Sequence, residues 1–174
     1  DWQEPVSDPS KRMGKDSFLR LKPGHNILRL VSLPHLYNQH RYEPDGGKKY
    51  GYRITCSRSD TEKNCPLCEM GNVAKKRWYV AALEAETNTY KILDMGVAIF
   101  KAVQSLAQTS WGSPDNYDVD ITVNPQGGAQ GYYYVAPMPP VSLTAAQIAV
   151  KEEGAASTDL QTRCEPPTPA KIQE

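Results

Sequence analysis

Net charge, phenylalanine and long apolar runs are all scarce in this 174-residue chain. Lys+Arg and Asp+Glu number 20 each, so the formal net charge is zero. The longest uncharged run, 121–150, is broken by Asn124, Pro125, Gly127 and Gly128 and again by Pro137, Pro139 and Pro140, which argues against a membrane span there. No secretory h-region opens the sequence, and a mean hydropathy of −0.60 reads as a polar, soluble chain. Enzyme signatures are missing too: there is no Gly-rich phosphate loop, no HExxH and no Ser/His/Asp arrangement. Asp115, Asp118 and Asp120 are the one carboxylate group that could suggest a magnesium-dependent nuclease. Asp118 and Asp120 read more simply as the solvent face of an amphipathic strand. The expectation is a protein that is not an enzyme.

The zero net charge hides an asymmetry. Residues 11–77 carry 15 Lys/Arg against 6 Asp/Glu, a net of +9, whereas 78–174 carry 5 against 11, a net of −6. A basic segment of this size in a neutral chain suggests a surface that faces a polyanion.

Hydrophobic alternation and turn residues predict strands over 17–21, 26–33, 36–42, 50–55, 78–84, 89–93, 117–123 and 131–136. Helical spacing of Ile99, Phe100, Val103 and Leu106 predicts a helix over 96–108, and a shorter one is expected over 143–150. The order suits a mainly β fold: a five-stranded Greek-key barrel of the OB type, one or two short helices, and a module inserted at about 35–76. Residues 1–15 read as a flexible arm, 16–150 as the core, and 151–174 (rich in Ala, Glu, Pro and Thr) as a flexible tail.

The cysteines are few but concentrated. Cys56, Cys65 and Cys68 lie within thirteen residues, and Cys65-Pro66-Leu67-Cys68 has the spacing of a zinc-knuckle turn. A structural zinc ion takes four ligands, so the fourth must come from His35, His40, His25 or Cys164. His40, just before the 44–47 turn that returns the chain to Cys56, is the first choice and His35 the second. One structural Zn2+ is therefore expected on His40, Cys56, Cys65 and Cys68. A redox CxxC normally opens a helix after a strand in a βαβ unit, and no such unit is evident.

Ten Tyr and three Trp against two Phe is an aromatic set suited to a wet surface. Many of these rings alternate with cations. Lys48-Lys49-Tyr50-Gly51-Tyr52-Arg53 leads into the first cysteine, Lys75-Lys76-Arg77-Trp78-Tyr79 leaves the last, and Tyr132-Tyr133-Tyr134 sits on a late strand. Rings on which bases stack, flanked by cations for phosphates, are what sequence-tolerant single-strand binding requires. Candidate contacts are Lys48, Lys49, Tyr50, Tyr52, Arg53, Lys75, Lys76, Arg77, Trp78, Tyr79, Tyr132 and Tyr134, with Tyr132 and Tyr134 sharing a strand face. A zinc-ribbon module for protein or RNA interaction, as in a transcription or ribosome-associated factor, is the alternative.

Several stretches, in order, resemble the zinc-containing single-stranded DNA-binding proteins of tailed bacteriophages, of which the T-even helix-destabilising protein is a member. They are Ser17-Phe18-Leu19-Arg20-Leu21 with Asn26-Ile27-Leu28-Arg29-Leu30, Tyr52-Arg53-Ile54-Thr55-Cys56, the Cys-Pro-x-Cys at 65–68, and 77–83 with 90–93. The likeness spans roughly 17–136, and only the Cys-Pro-x-Cys and its neighbours are specific. It implies an OB-fold with a zinc-ribbon-like insert, a Cys3His site whose histidine precedes the first cysteine, and a cleft whose aromatics include Tyr52 and Trp78. It implies a protein of the bacterial host cytoplasm that coats single-stranded DNA and removes its secondary structure in phage DNA replication, recombination and repair. Its partners would be DNA, neighbouring copies of itself and replication or recombination proteins. The basic arm of that family is represented by Lys11-Arg12-Met13-Gly14-Lys15 alone, and no concentrated acidic tail follows.

Overall fold

The computed structural model describes residues 18–43 and 51–173. It is mainly β, with one antiparallel sheet built from β1 (Gly24–Leu30), β2 (His35–Tyr42), β3 (Tyr52–Thr55), β4 (Lys75–Glu84), β5 (Thr89–Met95), β6 (Val119–Val123) and β7 (Tyr133–Pro137). The helices are α1 (Pro66–Glu69), α2 (Val97–Ala107), α3 (Gly128–Gly131), α4 (Ala145–Ser157), α5 (Leu160–Cys164) and α6 (Pro169–Gln173), with a 3-10 turn at Pro114–Asn116. Among the described residues no helix is long and apolar enough to cross a membrane.

β4 organises the sheet. Residues 75–79 pair with β2 and 82–84 pair with β1, while β5 runs along the other edge from Trp78 to Glu84. β1 and β2 therefore share one edge of a single strand. Two extra residues separate their registers, and Ser32 spans the break by accepting a hydrogen bond from the Ala81 N–H at 2.8 Å. β6 pairs with β1, β7 with β6, and β3 with β2.

Period-two alternation decides the faces. Val119, Ile121 and Val123 are buried while Asp120 and Thr122 point away. Val119 and Ile121 join Leu28, Leu30, Val80, Ala82, Leu93 and Met95 in the main core, closed by Ile99 and Val103 of α2. A second cluster surrounds Cys56, Cys65 and Leu67, and a third joins Ala81, Ile92 and Leu160 with Phe18 and Tyr79. The β4–β5 hairpin turns through Asn88, whose φ of 50° is the left-handed conformation that Asn tolerates.

Three expectations are corrected. Of the strand expected over 17–21, the described residues 18–21 form none: Phe18 makes a single parallel bridge to Ile92, and the Asn26 side chain takes the Lys22 N–H and C=O into a turn instead. Tyr132 ends α3 rather than lying on β7, so it shares no strand face with Tyr134; its ring meets Tyr133 edge-on at 4.7 Å. Where a flexible tail is expected over 151–174, the described residues 151–173 carry helices that continue to Gln173. A capping box at Thr144 and Gln147 starts α4, which runs past Val150 because Gly154 docks on the Tyr90 ring. Asp159 caps α5, and Leu160 and Cys164 are buried. The expected arm at 1–15 lies outside the described residues.

Candidate metal centre and nucleic-acid face

β2, β3 and α1 bring His40, Cys56, Cys65 and Cys68 together, with one ligand atom of each within 4.8 Å of all the others. His40 Nε2 is 3.5 Å from both Cys65 Sγ and Cys68 Sγ, and Cys56 Sγ is 3.7 Å from Cys68 Sγ. This set can hold one metal ion.

The local chain explains the convergence. Cys65 caps α1 and Pro66 fills its first position, where a missing N–H costs nothing. The turn closes through N–H donations from Glu69 to Cys65 C=O and from Gly71 to Cys68 C=O, with Gly71 at a φ of 82°. The Cys56 N–H donates to Asn38 C=O, tying the first thiol to β2. His40 is fully buried, and its Nδ1 lies 3.1 Å from Asn72 Oδ1. Because the Asn72 amide donates to Arg41 C=O at 2.8 Å, its oxygen is the end that faces the imidazole. The proton therefore sits on Nδ1 and the Nε2 lone pair points at the sulfurs.

The thiols differ. Burial pushes Cys56 up to about 12. At Cys65 burial also raises the value, but N–H donors of Cys68 and Ser57 and the Ser57 hydroxyl outweigh it and bring the thiol down to about 6. Cys65 is thus a thiolate at neutral pH, ready to attract a cation.

The other candidate ligands stand apart. His35 is on the opposite face of β2 from His40, His25 bonds Asp120 at 2.7 Å, and the Cys164 thiol donates to His35 C=O. Nor do the three aspartates assemble into a carboxylate site. Asp118 accepts from the buried Arg29 at 2.8 Å, and Arg29 also donates to the Asp115 and Val141 carbonyls. Breaking one partner of such a buried pair costs about 3–5 kcal/mol, which gives Asp118 a structural role.

The candidate nucleic-acid residues are divided by alternation. On β4, Lys75, Arg77 and Tyr79 share one face, and Lys76 and Trp78 share the other. Lys75 and Lys76 are exposed. Arg77 is half-buried and paired with Asp94 at 2.9 Å. Trp78 stacks on Phe100 with centroids 3.9 Å apart and packs against the main core. Tyr79 stacks on Tyr37 at 4.3 Å, and burial raises its phenol. Tyr52 and Arg53 are exposed on opposite faces of β3, and Tyr134 is exposed beside Thr122. Tyr132 stands at the end of α3. Lys48, Lys49 and Tyr50 lie outside the described residues.

Sequence reasoning missed Arg41, which stands directly opposite Arg53, and Asn72, which orients His40. Neither has a local sequence signal; each acquires its place only through strand pairing or the fold of the knot. Comparison with protein-family models, with curated proteins and with solved structures finds no match to this chain.

Proposed function

We propose that this chain is a sequence-tolerant single-stranded DNA-binding protein, without enzymatic activity, built on an OB-type barrel with an inserted structural zinc module. It would coat exposed single strands and remove their secondary structure during DNA replication, recombination and repair.

The observation that carries this reading is the pairing order. β1–β4–β5 form a meander, α2 follows, β6 returns to pair with β1, and β7 pairs with β6. That is the strand order expected of a five-stranded OB barrel, with 31–74 as its first loop and 124–132 as its last. Those two loops are the ones with which such barrels hold oligonucleotides. The first carries the metal-binding cluster and much of the basic charge; the last leads into Tyr132, Tyr133 and Tyr134.

Zinc fits the donors. Thiolates about 2.3 Å from a tetrahedral ion lie roughly 3.8 Å apart, and an imidazole nitrogen at about 2.0 Å lies roughly 3.5 Å from each sulfur. The spacings of 3.7 Å and 3.5 Å agree with both. Zinc would act by ordering the insert, since metal binding contributes directly to folding.

The test is an anisotropy titration with labelled oligo-dT, a hairpin-free duplex and oligo-U at two salt concentrations. Tight, salt-sensitive binding to oligo-dT over duplex is expected. Binding to none of the three would refute the reading and leave the zinc-ribbon interaction module. A clear preference for oligo-U would move it to RNA.

A further inference from the structure

We propose that Arg41, Arg53 and Lys75 form a phosphate-binding track on the face of β3–β2–β4 that points away from the metal cluster. The inference rests on the single-strand reading and gives it a side of the sheet and a direction.

Arg41 and Arg53 are direct partners across β2 and β3. His40, the neighbour of Arg41, turns inward to the sulfurs, so both arginines turn outward. Like charges directly opposite each other on one face destabilise a sheet. The compensation available is small. Arg41 meets Glu43 at 2.8 Å, but both side chains are more than half exposed, and exposed pairs are worth little. Arg53 has no ion pair among the described residues. An anion lying between the two guanidinium forks turns this repulsion into paired, charge-assisted hydrogen bonds.

The next row along the strands is Thr55, Gln39 and Lys75. It is about 7 Å from the first, two residues along. That step suits successive phosphates of an extended strand. The following cation, Arg77, is already held by Asp94, and beyond it α5 covers the sheet through Leu160 against Ala81 and Ile92. The track therefore runs diagonally, from Lys75 on β4 along and across the strands to Arg41 on β2 and Arg53 on β3. A protein partner fits less well. The core of a protein interface is apolar, whereas this patch offers three cations, a glutamine and a threonine.

Two measurements on the full chain test it. First, Arg53→Gln in the absence of DNA relieves the opposition, so its Tm is expected to rise above wild type; a Tm unchanged or lowered overturns the electrostatic argument. Second, oligo-dT affinity is measured across salt concentrations for wild type, Arg41→Gln, Arg53→Gln, Lys75→Gln and, as control, Lys101→Gln on α2. Each track variant is expected to reduce the slope of log K against log salt by about 0.7, and Lys101→Gln to leave it unchanged. Salt-sensitive wild-type binding with unaltered slopes in all three track variants overturns the track and spares the single-strand reading. No wild-type binding overturns both. Loss of polyglutamate binding in these variants, with oligo-dT binding intact, assigns the patch to an acidic protein and overturns it as well.

Discussion

Asn72 Oδ1 lies 3.1 Å from Nδ1 of His40, and this contact orients the one nitrogen donor of the cluster that can hold a metal ion. Asn72 is in turn held by the Arg41 carbonyl. Partners of this kind, one step behind the ligand, typically account for about 10–100-fold in metal affinity. With zinc as the proposed occupant, Asn72→Ala is expected to weaken its binding by that amount while leaving one site per chain. Competition with a chromophoric chelator measures it, and an unchanged affinity would show that His40 is oriented by packing alone.

Trp78→Ala should unfold the protein more readily rather than act only on DNA. The indole lies parallel to Phe100 at 2° between planes and contributes to the main core. Truncation of a half-buried ring of this size is expected to cost about 3 kcal/mol, with Trp78→Phe recovering most of it. Denaturant midpoints of the two variants settle the matter. Equal midpoints for Trp78→Ala and wild type would free the ring for stacking on bases.

Gly154→Ala reverses the usual sign of its substitution. In an exposed helix, replacing Gly by Ala gains up to about 1 kcal/mol. In α4 the added Cβ collides with the Tyr90 ring, so a loss of about 1–3 kcal/mol is expected. Thermal unfolding of Gly154→Ala reads it. The loss should largely vanish when Tyr90 is also replaced by Ala, because the collision then has no second member.

Stability should fall on the alkaline side. Burial holds the Tyr37 phenol well above its ordinary 10.0 and raises the Cys164 thiol from 9.0 to about 11. Both groups keep their proton more tightly folded than unfolded. Their contribution is therefore complete below pH 9 and is lost first at Cys164, between pH 9 and about 11, then at Tyr37 as pH passes 10. Urea midpoints from pH 7 to 11 should decline above pH 9. Cys164→Ala should flatten the first part of that decline; an identical profile would show the thiol to be unperturbed.

The cysteine knot was legible because its chemistry is local: Cys65 and Cys68 are placed by one turn, and His40 by its position before the return to Cys56. The strands of the core were legible from alternation, as at Val119, Ile121 and Val123. The candidate nucleic-acid residues were less so. The run from Lys75 to Tyr79 is contiguous in sequence, but a strand sends alternate side chains to opposite faces, and neighbours in the chain became strangers in space. Arg41 met Arg53 only through the pairing of β2 with β3, which no local pattern encodes. The helices beyond Val150 are not legible in a stretch rich in Ala, Glu, Pro and Thr because tertiary contacts hold them, Gly154 against Tyr90 and Leu160 against Ala81 and Ile92.

β4 has a mechanical consequence. Its ten residues run without interruption from the partners of β2 to the partners of β1, so no hinge separates the cysteine knot from the main core. Lys75 at one end and Leu83 near the other belong to the same hydrogen-bonded strand. The cysteine knot and the main core are thus two ends of one sheet rather than two bodies joined by a linker. Any change in how the knot packs is therefore felt first at residues 75–79, the stretch of β4 that β2 shares.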